Sequence, residues 1–258
     1  MNNILAVDIG NSNITAGIFT GPSLASKAKT PTGLRGLHRA FLRRMLKSAL
    51  IGAGDVSSVI ISSVAPLALS RFLCELRGLF SCPVSITGRD ITVPIKNMYR
   101  IKSEVGQDRL VNAYAAKMIY GYPAVVVDFG TAVTFDVISG SGEYLGGLIF
   151  PGIDMSLSGL YRNTALLPYV ELKAVSSLIG RDTVSSIRGG ILFGFGAMCD
   201  GIIGRYVKIL GKRTVTVMTG GNARLIKRYS KSIRNLDEDI TLKGLYLVAK
   251  SAKKGVHA

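Results

Sequence analysis

The stretch Ala124-Val-Val-Val-Asp-Phe-Gly-Thr-Ala-Val-Thr-Phe-Asp136 repeats, about 120 residues later, the pattern of Leu5 to Phe19. Each copy runs apolar strand, Asp-x-Gly, small polar residue, second strand. The β-branched and apolar run Ile4-Leu-Ala-Val-Asp-Ile-Gly10 suits a buried strand, and Ile14 to Thr20 a second, so a hairpin with a polar tip is expected. Self-similarity at this spacing points to two related α/β halves rather than one long sheet. The halves are placed at Met1–Ala116 and Lys117–Ala258, with the junction near Tyr114 to Pro123.

The first half adds a turn at Gly21-Pro22-Ser23, a third strand over Leu24 to Thr30 and a helix around Leu34 to Ala49. A buried strand, Val56 to Val64, a helix opening at Pro66 and a strand over Pro83 to Thr87 follow. The second half predicts a strand at Tyr144 to Phe150, a helix after Pro151, a long apolar helix from Thr183 to Leu210 and a strand at Thr214 to Thr219. Gly220-Gly221 closes that strand, and helices at Ala223 to Ser230 and Leu242 to Lys253 end the chain.

With 258 residues, 48% hydrophobic content and 30 glycines, the chain can bury the core of two ordinary domains. Its mean hydropathy of +0.34 invites a membrane reading. The longest apolar stretch, Gly189 to Gly204, is studded with glycine and contains Asp200, so a buried helix is expected and no membrane. Acidic Asp8 and polar Asn11 to Asn13 arrive too early for an export leader, which implies a cytoplasmic protein. Cys74, Cys82 and Cys199 form neither a close pair nor a metal spacing with His38 or His257, and reduced, packed thiols are expected. The net charge of +16 suits nucleic acid or anionic small molecules. Its densest cluster, Arg35, Arg39, Arg43, Arg44 and Lys47, alternates with Leu34, Leu37, Phe41 and Leu42 as the wet side of an amphipathic helix. With no recognition-helix motif, no specific nucleic acid partner is expected.

The tip Asp8-Ile-Gly-Asn-Ser-Asn13 sets a carboxylate before a tight turn whose amides and small side chains can face an anion. Asp8 is then placed to hold the magnesium that accompanies a nucleotide, since magnesium takes oxygen ligands and keeps several waters. A plain hairpin whose Asp and Asn satisfy their own turn is the alternative. The second tip, Asp128-Phe-Gly-Thr131, and the loop Met218-Thr-Gly-Gly-Asn-Ala223 strengthen the phosphate reading, because glycines let backbone approach a nucleotide. Together these elements resemble the phosphate and nucleoside loops of the sugar-kinase, Hsp70 and actin superfamily. That resemblance implies two duplicated actin-like, ribonuclease H-like halves with an ATP cleft between them.

Val105-Gly-Gln-Asp-Arg-Leu-Val-Asn112 resembles the Gly-x-Asp-Arg-x-x-Asn motif of type III pantothenate kinases. Gly146-Gly-Leu-Ile-Phe-Pro-Gly152, Gly180-Arg-Asp-Thr-Val-Ser-Ser-Ile187 and Leu242-Lys-Gly-Leu245 resemble the same family, in the expected order along almost the whole chain. One departure is Ser12, where the family more often has threonine. The resemblance implies ATP-dependent phosphorylation of pantothenate, the first step of coenzyme A biosynthesis, with Asp108 as catalytic base. It implies pantothenate contacts from Tyr99, Gly106, Gln107, Asp108, Arg109 and Thr183, with Arg109 suited to the carboxylate. ATP contacts are implied for Asp8, Ile9, Gly10, Asn11, Ser12, Asn13, Ile14, Thr15 and Thr131. Asp128 matches a site for potassium or ammonium, and the family is dimeric.

Read without the resemblance, Asp108 is a helix N-cap and Arg109 a surface ion-pair partner. Asp154, Asp182 and Asp200 read as caps or buried partners. The rival functions are a non-enzymatic transcription regulator on the same scaffold, or another enzyme of the superfamily such as a sugar kinase or polyphosphate phosphatase. The retained Asp8, Asp108, Arg109 and Asp128 argue for an enzyme.

Overall fold

The computed structural model describes residues 3–33 and 38–255. The first four residues of the expected basic helix, including Arg35, and His257 lie outside the described residues. The chain forms two compact units. Unit 1 comprises the residues up to Ile95, Ile101–Ala115 and the segment from Asp239 onward, and unit 2 comprises Lys96–Arg100 and Ala116–Glu238.

Unit 1 holds the strands β1 (Asn3–Ile9), β2 (Asn13–Thr20), β3 (Ser23–Pro31), β4 (Val56–Ser63) and β5 (Val84–Ile86), in the sheet order β3-β2-β1-β4-β5. β1, β2 and β3 pair antiparallel, while β4 lies parallel to β1 and β5 parallel to β4. Helices α1 (His38–Ser48) and α2 (Pro66–Leu76) cover one face. There Leu5, Val7, Ile9, Ile14 and Ile18 pack with Leu42, Met45, Phe72 and Leu76. Each such side chain, fully buried, contributes roughly 1.5–3 kcal/mol. Of the basic residues of α1, Arg43, Arg44 and Lys47 are exposed as expected, while Arg39 is half-buried and bonds to Glu75 of α2; Leu42, Met45 and Leu46 lie inside.

Helix α3 (Gln107–Tyr120) begins in unit 1, and the unit boundary falls after its Ala115.

In unit 2 the strands β6 (Ala124–Phe129), β7 (Ala132–Ile138), β8 (Tyr144–Pro151), β9 (Val215–Thr219) and β10 (Asn235–Leu236) are ordered β10-β9-β6-β7-β8. Read from β8, this is the topology of unit 1, with three antiparallel strands followed by two parallel ones. The internal repeat in the sequence is therefore a repeat of architecture. Helices α4 (Ile153–Arg162), α5 (Thr183–Leu210) and α6 (Ala223–Ile226) accompany the sheet, and Val125, Val127, Phe129 and Phe135 pack with Leu157, Leu192, Cys199 and Ile203.

By length and composition α5 could cross a membrane. Its buried residues Ile187, Leu192, Gly196, Cys199 and Ile203 instead recur at helical spacing toward the core of unit 2. Asp182 caps its start, accepting from the Ser185 amide at 2.8 Å, and Gly211 ends it at φ 99°. Burial pushes the Cys199 thiol up to about 12, with the charge of Asp200 as the lesser cause, so it stays protonated. Cys74, Cys82 and Cys199 form no disulfide, and Cys74 is exposed rather than packed as expected.

The last helix, α7 (Ile240–Gly255), departs from the linear division into halves, because it belongs to unit 1. Tyr246 stacks on Phe19 with ring centroids 4.8 Å apart. A methyl group on Gly17 would stand 2.9 Å from Leu242, and one on Gly244 2.6 Å from the Val111 carbonyl. Those two glycines let α7 lie against β2 and α3.

Candidate active site

The first tip is tied down from behind. Gly10 donates its amide to the Asn13 carbonyl at 2.9 Å, Thr32 donates its hydroxyl to the Gly10 carbonyl at 2.8 Å, and the Thr32 amide reaches the Ser12 carbonyl at 3.0 Å. Asn11 and Ser12 are left exposed, and Asp8 is half-buried beside Thr15 in the β1–β2 ladder. Thr32 was not among the residues expected from sequence; it is remote from the motif, and only the β2–β3 pairing brings it back. Ile9 and Ile14 pair across the base of this tip. Both side chains are wholly buried in the core, so they can offer a nucleotide only main chain.

The second tip is held by backbone packing. Asp128 and Thr134 face each other across the β6–β7 pair, as Asp8 and Thr15 do in the first hairpin. A methyl group on Gly152, at the start of α4, would collide with the Thr131 carbonyl. Gly220 adopts φ 95°, and a methyl group there would stand 2.5 Å from Asp128 Oδ1. The β6–β7 tip, the β8–α4 junction and the β9–α6 loop thus meet at one corner of unit 2, with Thr131 exposed. The glycine-rich motifs noted in the sequence are the residues that permit this approach.

Asp108 lies in the first turn of α3, not at its cap. The Gly106 carbonyl accepts from the Arg109 amide at 3.1 Å and the Leu110 amide at 3.4 Å, so the helix is already under way. The N-cap reading of Asp108 therefore fails, and its Oδ1 instead accepts from the next amide, that of Arg109, at 2.8 Å. Burial raises its pKa against the opposing pull of the Arg109 amide and guanidinium. A methyl group on Gly106 would run into the Asp108 carboxylate. Arg109 is 7% exposed, which removes the surface ion-pair reading. Gln107 rests on Gly88, a residue at φ 77° that sequence reasoning missed; a methyl group there would stand 2.6 Å from the Gln107 amide carbon. Asn112 closes the motif structurally, accepting from the Thr241 hydroxyl at 2.7 Å and so joining α3 to α7.

The remaining expected residues lie in unit 2. The Tyr99 amide donates to Asn97 Oδ1 at 2.9 Å, and its ring lies over Gly146. Thr183 is the exposed first residue of α5 and lines a groove of about 620 Å³ with Leu160, Leu167, Arg181, Ser186 and Ile191. Asp182 is the cap that sequence suggested, and the Ser185 amide and hydroxyl hold its carboxyl below the usual range. Asp200 is half-buried and acts as a partner, accepting from the Ser230 hydroxyl and the Lys231 and Ser232 amides. The structure thus gathers Asp8 to Thr15 and Gly106 to Arg109 in unit 1, and Tyr99, Asp128, Thr131 and Thr183 in unit 2.

Among the described residues no group of three His, Cys, Asp or Glu side chains could cage a metal ion. One tip carboxylate such as Asp8 is the donor set expected for magnesium carried in on phosphates, which needs few protein ligands.

Solved structures share this fold at low sequence identity. Component A of (R)-2-hydroxyglutaryl-CoA dehydratase from Acidaminococcus fermentans is 16% identical with a TM-score of 0.58, over 98% of this chain and 100% of that one. A protein from Campylobacter jejuni described as a Baf family transcriptional activator is 20% identical with a TM-score of 0.58, over 97% and 99%. These likenesses establish an actin-like α/β fold and nothing about activity. Sequence relatives carry more. The type III pantothenate kinase of Anaeromyxobacter dehalogenans strain 2CP-C is 40% identical over 250 residues, covering 95% of this chain and 98% of the relative. That of Solibacter usitatus is 38% identical over 252 residues, covering 95% of both. The family model for type III pantothenate kinase matches residues 4–205, and with relatives of this identity over nearly the full length, the chain belongs to the type III pantothenate kinase family.

Proposed function

We propose that this chain transfers the terminal phosphoryl group of ATP to the primary hydroxyl of pantothenate, opening coenzyme A biosynthesis, with Asp108 as the base. The observation that carries the reading is the Asp108 carboxylate. It sits in the first turn of α3 within the family's motif, against a glycine that leaves it room, and its pKa is raised by burial. A carboxylate drawn toward neutrality accepts a proton more readily. As the hydroxyl oxygen bonds to phosphorus and the bond to the departing ADP breaks, the hydroxyl proton passes to Asp108. Arg109, with Gly106, Gln107, Tyr99 and Thr183, orients pantothenate. The amides of the tip from Gly10 to Asn13, together with Thr131, bind phosphate oxygens. Asp8, with the phosphates, would hold a magnesium ion, which would supply neutralisation of the charge that spreads over the transferring group.

By the same family resemblance, Asp128 at the second tip would hold potassium or ammonium beside the phosphates. The enzyme works as a cytoplasmic homodimer, and its positive charge serves anionic substrates rather than specific DNA sequences.

The test is ADP formation with and without pantothenate, against a panel of sugars as alternative acceptors. Pantothenate-dependent turnover is expected, and sugar-dependent turnover without it would overturn the reading. At matched ionic strength, potassium and ammonium should support turnover and sodium should substitute poorly; equal rates in all three reject the monovalent site.

A further inference from the structure

β4 carries two side-chain hydroxyls, on Ser58 and Ser62, that are closed off from solvent and have no hydrogen-bond partner. Folded chains rarely leave a buried hydroxyl unpaired, because its lost hydration goes uncompensated. The two serines differ in what stands beside them.

Ser62 is 0% exposed and pairs in register with Asp8 across the parallel β1–β4 ladder. Val59 and Ile61 point into the core beneath α1 and α2, as do Val7 and Ile9 of β1. Alternation therefore turns both Ser62 and Asp8 to the opposite face. Thr15 flanks Asp8 from the other side. The row Thr15–Asp8–Ser62 crosses three strands at the end of the sheet that carries the tip. Unit 2 repeats it as Thr134–Asp128–Thr219, with Thr219 also buried. The duplicated frame thus keeps a hydroxyl on each side of its carboxylate, although Ser62 and Thr219 differ in type. Ser58 pairs with Ile4 instead, and no acid stands next to it. It lies four positions before Ser62, about 13 Å along the strand.

We propose that Ser62 is a positioning residue for phosphoryl transfer, its hydroxyl donating to the Asp8 carboxylate and fixing the orientation in which Asp8 receives the magnesium nucleotide. Neighbouring strands stand about 4.8 Å apart, a gap that a serine hydroxyl spans by rotating about χ1. An alanine there would suit the fold better, since it removes an orphaned polar atom. The serine is thus a local inconsistency of the kind that marks a functional site. The proposal rests on the kinase reading above.

The experiment compares Ser62→Ala, Ser62→Cys and Ser58→Ala with wild type in the full chain, by melting temperature with and without magnesium and ADP, and by steady-state kinetics. Both alanine variants should melt at or above wild type without nucleotide. Ser58→Ala should keep the rise in melting temperature that magnesium-ADP produces, and wild-type turnover. Ser62→Ala should lose most of that rise and drop in kcat by about 10- to 100-fold, the usual weight of a hydrogen bond to a charged group, with KM for pantothenate unchanged. Ser62→Cys, whose thiol is a weak donor, should fall between, and it serves as the measured variant if Ser62→Ala does not fold. A wild type that responds to magnesium-ADP, with Ser62 variants that respond equally and turn over at the wild-type rate, overturns this proposal alone. A wild type with no response overturns the kinase reading and this one with it.

Discussion

The two hairpin tips share topology and register yet are secured by different means. In unit 1 hydrogen bonds do it, as the Thr32 hydroxyl and amide reach the Gly10 and Ser12 carbonyls. In unit 2 main chain packs on main chain, with Gly152 against Thr131 and Gly220 against Phe129 and Asp128. The first arrangement leaves a turn that can adapt to a ligand. The second gives a rigid corner in which the position of Asp128 follows from backbone geometry. A duplicated frame therefore preserves where the carboxylates stand, while the surroundings of each copy diverge toward different work.

If the acid–base chemistry belongs to unit 1 alone, the largest effect should come from Asp108→Asn. Turnover should fall roughly 10²–10⁴-fold, the usual contribution of a positioned base. ADP binding, followed by calorimetry, should be nearly unchanged. The stability of this variant also has a sign. Because the folded pKa of Asp108 is raised above the ordinary 3.8, the wild type binds its proton more tightly folded than unfolded. That stability is present below 3.8 and is lost as pH rises through the folded value. Asp108→Asn escapes the loss, so its melting temperature should gain on wild type from acidic to neutral pH. Parallel melting curves across that range would break the argument.

Contrasting glycine substitutions sharpen the difference between the tips. Gly152→Ala should cost about 1–3 kcal/mol or more, because the Thr131 main chain has to move. Gly10→Ala, whose methyl would stand 3.2 Å from the Asn13 carbonyl, should cost clearly less. Urea unfolding of both variants checks the order, and equal losses would erase the distinction between an adaptable and a rigid tip.

The smallest effect is expected from Thr32→Val, which keeps the shape and removes the hydroxyl that holds the first tip. A loss of about 0.5–1.5 kcal/mol in stability is expected. It should come with weaker magnesium-ADP binding and an unchanged response to potassium, since the second tip is untouched. A Thr32→Val variant with wild-type nucleotide affinity would show that the tip needs no tether.

Most elements lay close to where the sequence put them because their signals are local. The ends of α5 coincide with expectation, since Asp182 offers a cap acceptor and Gly211 tolerates a positive φ. Asp108 was misplaced by a local ambiguity, in that an acid at a helix start resembles a cap whether it stands one position outside or inside the first turn. β10 went unseen because two residues carry no period. Thr32 and Gly88 were missed because their roles depend on partners 22 and 19 positions away in the chain, Gly10 and Gln107.

By itself the sequence determined the duplicated hairpins, the order of strands and helices, the three glycine-rich loops and the motif that carries Asp108. Each of these is written in a period or a turn chemistry spanning a few residues. Only the tertiary structure decided that the last helix joins the first unit, and that Ile9 and Ile14 turn inward. It alone set Ser62 unpaired beside Asp8 and raised the pKa of Asp108. Those outcomes depend on strand register, on which face of a sheet a helix covers and on how much water a side chain loses, and all three are settled by contacts between residues far apart in the chain.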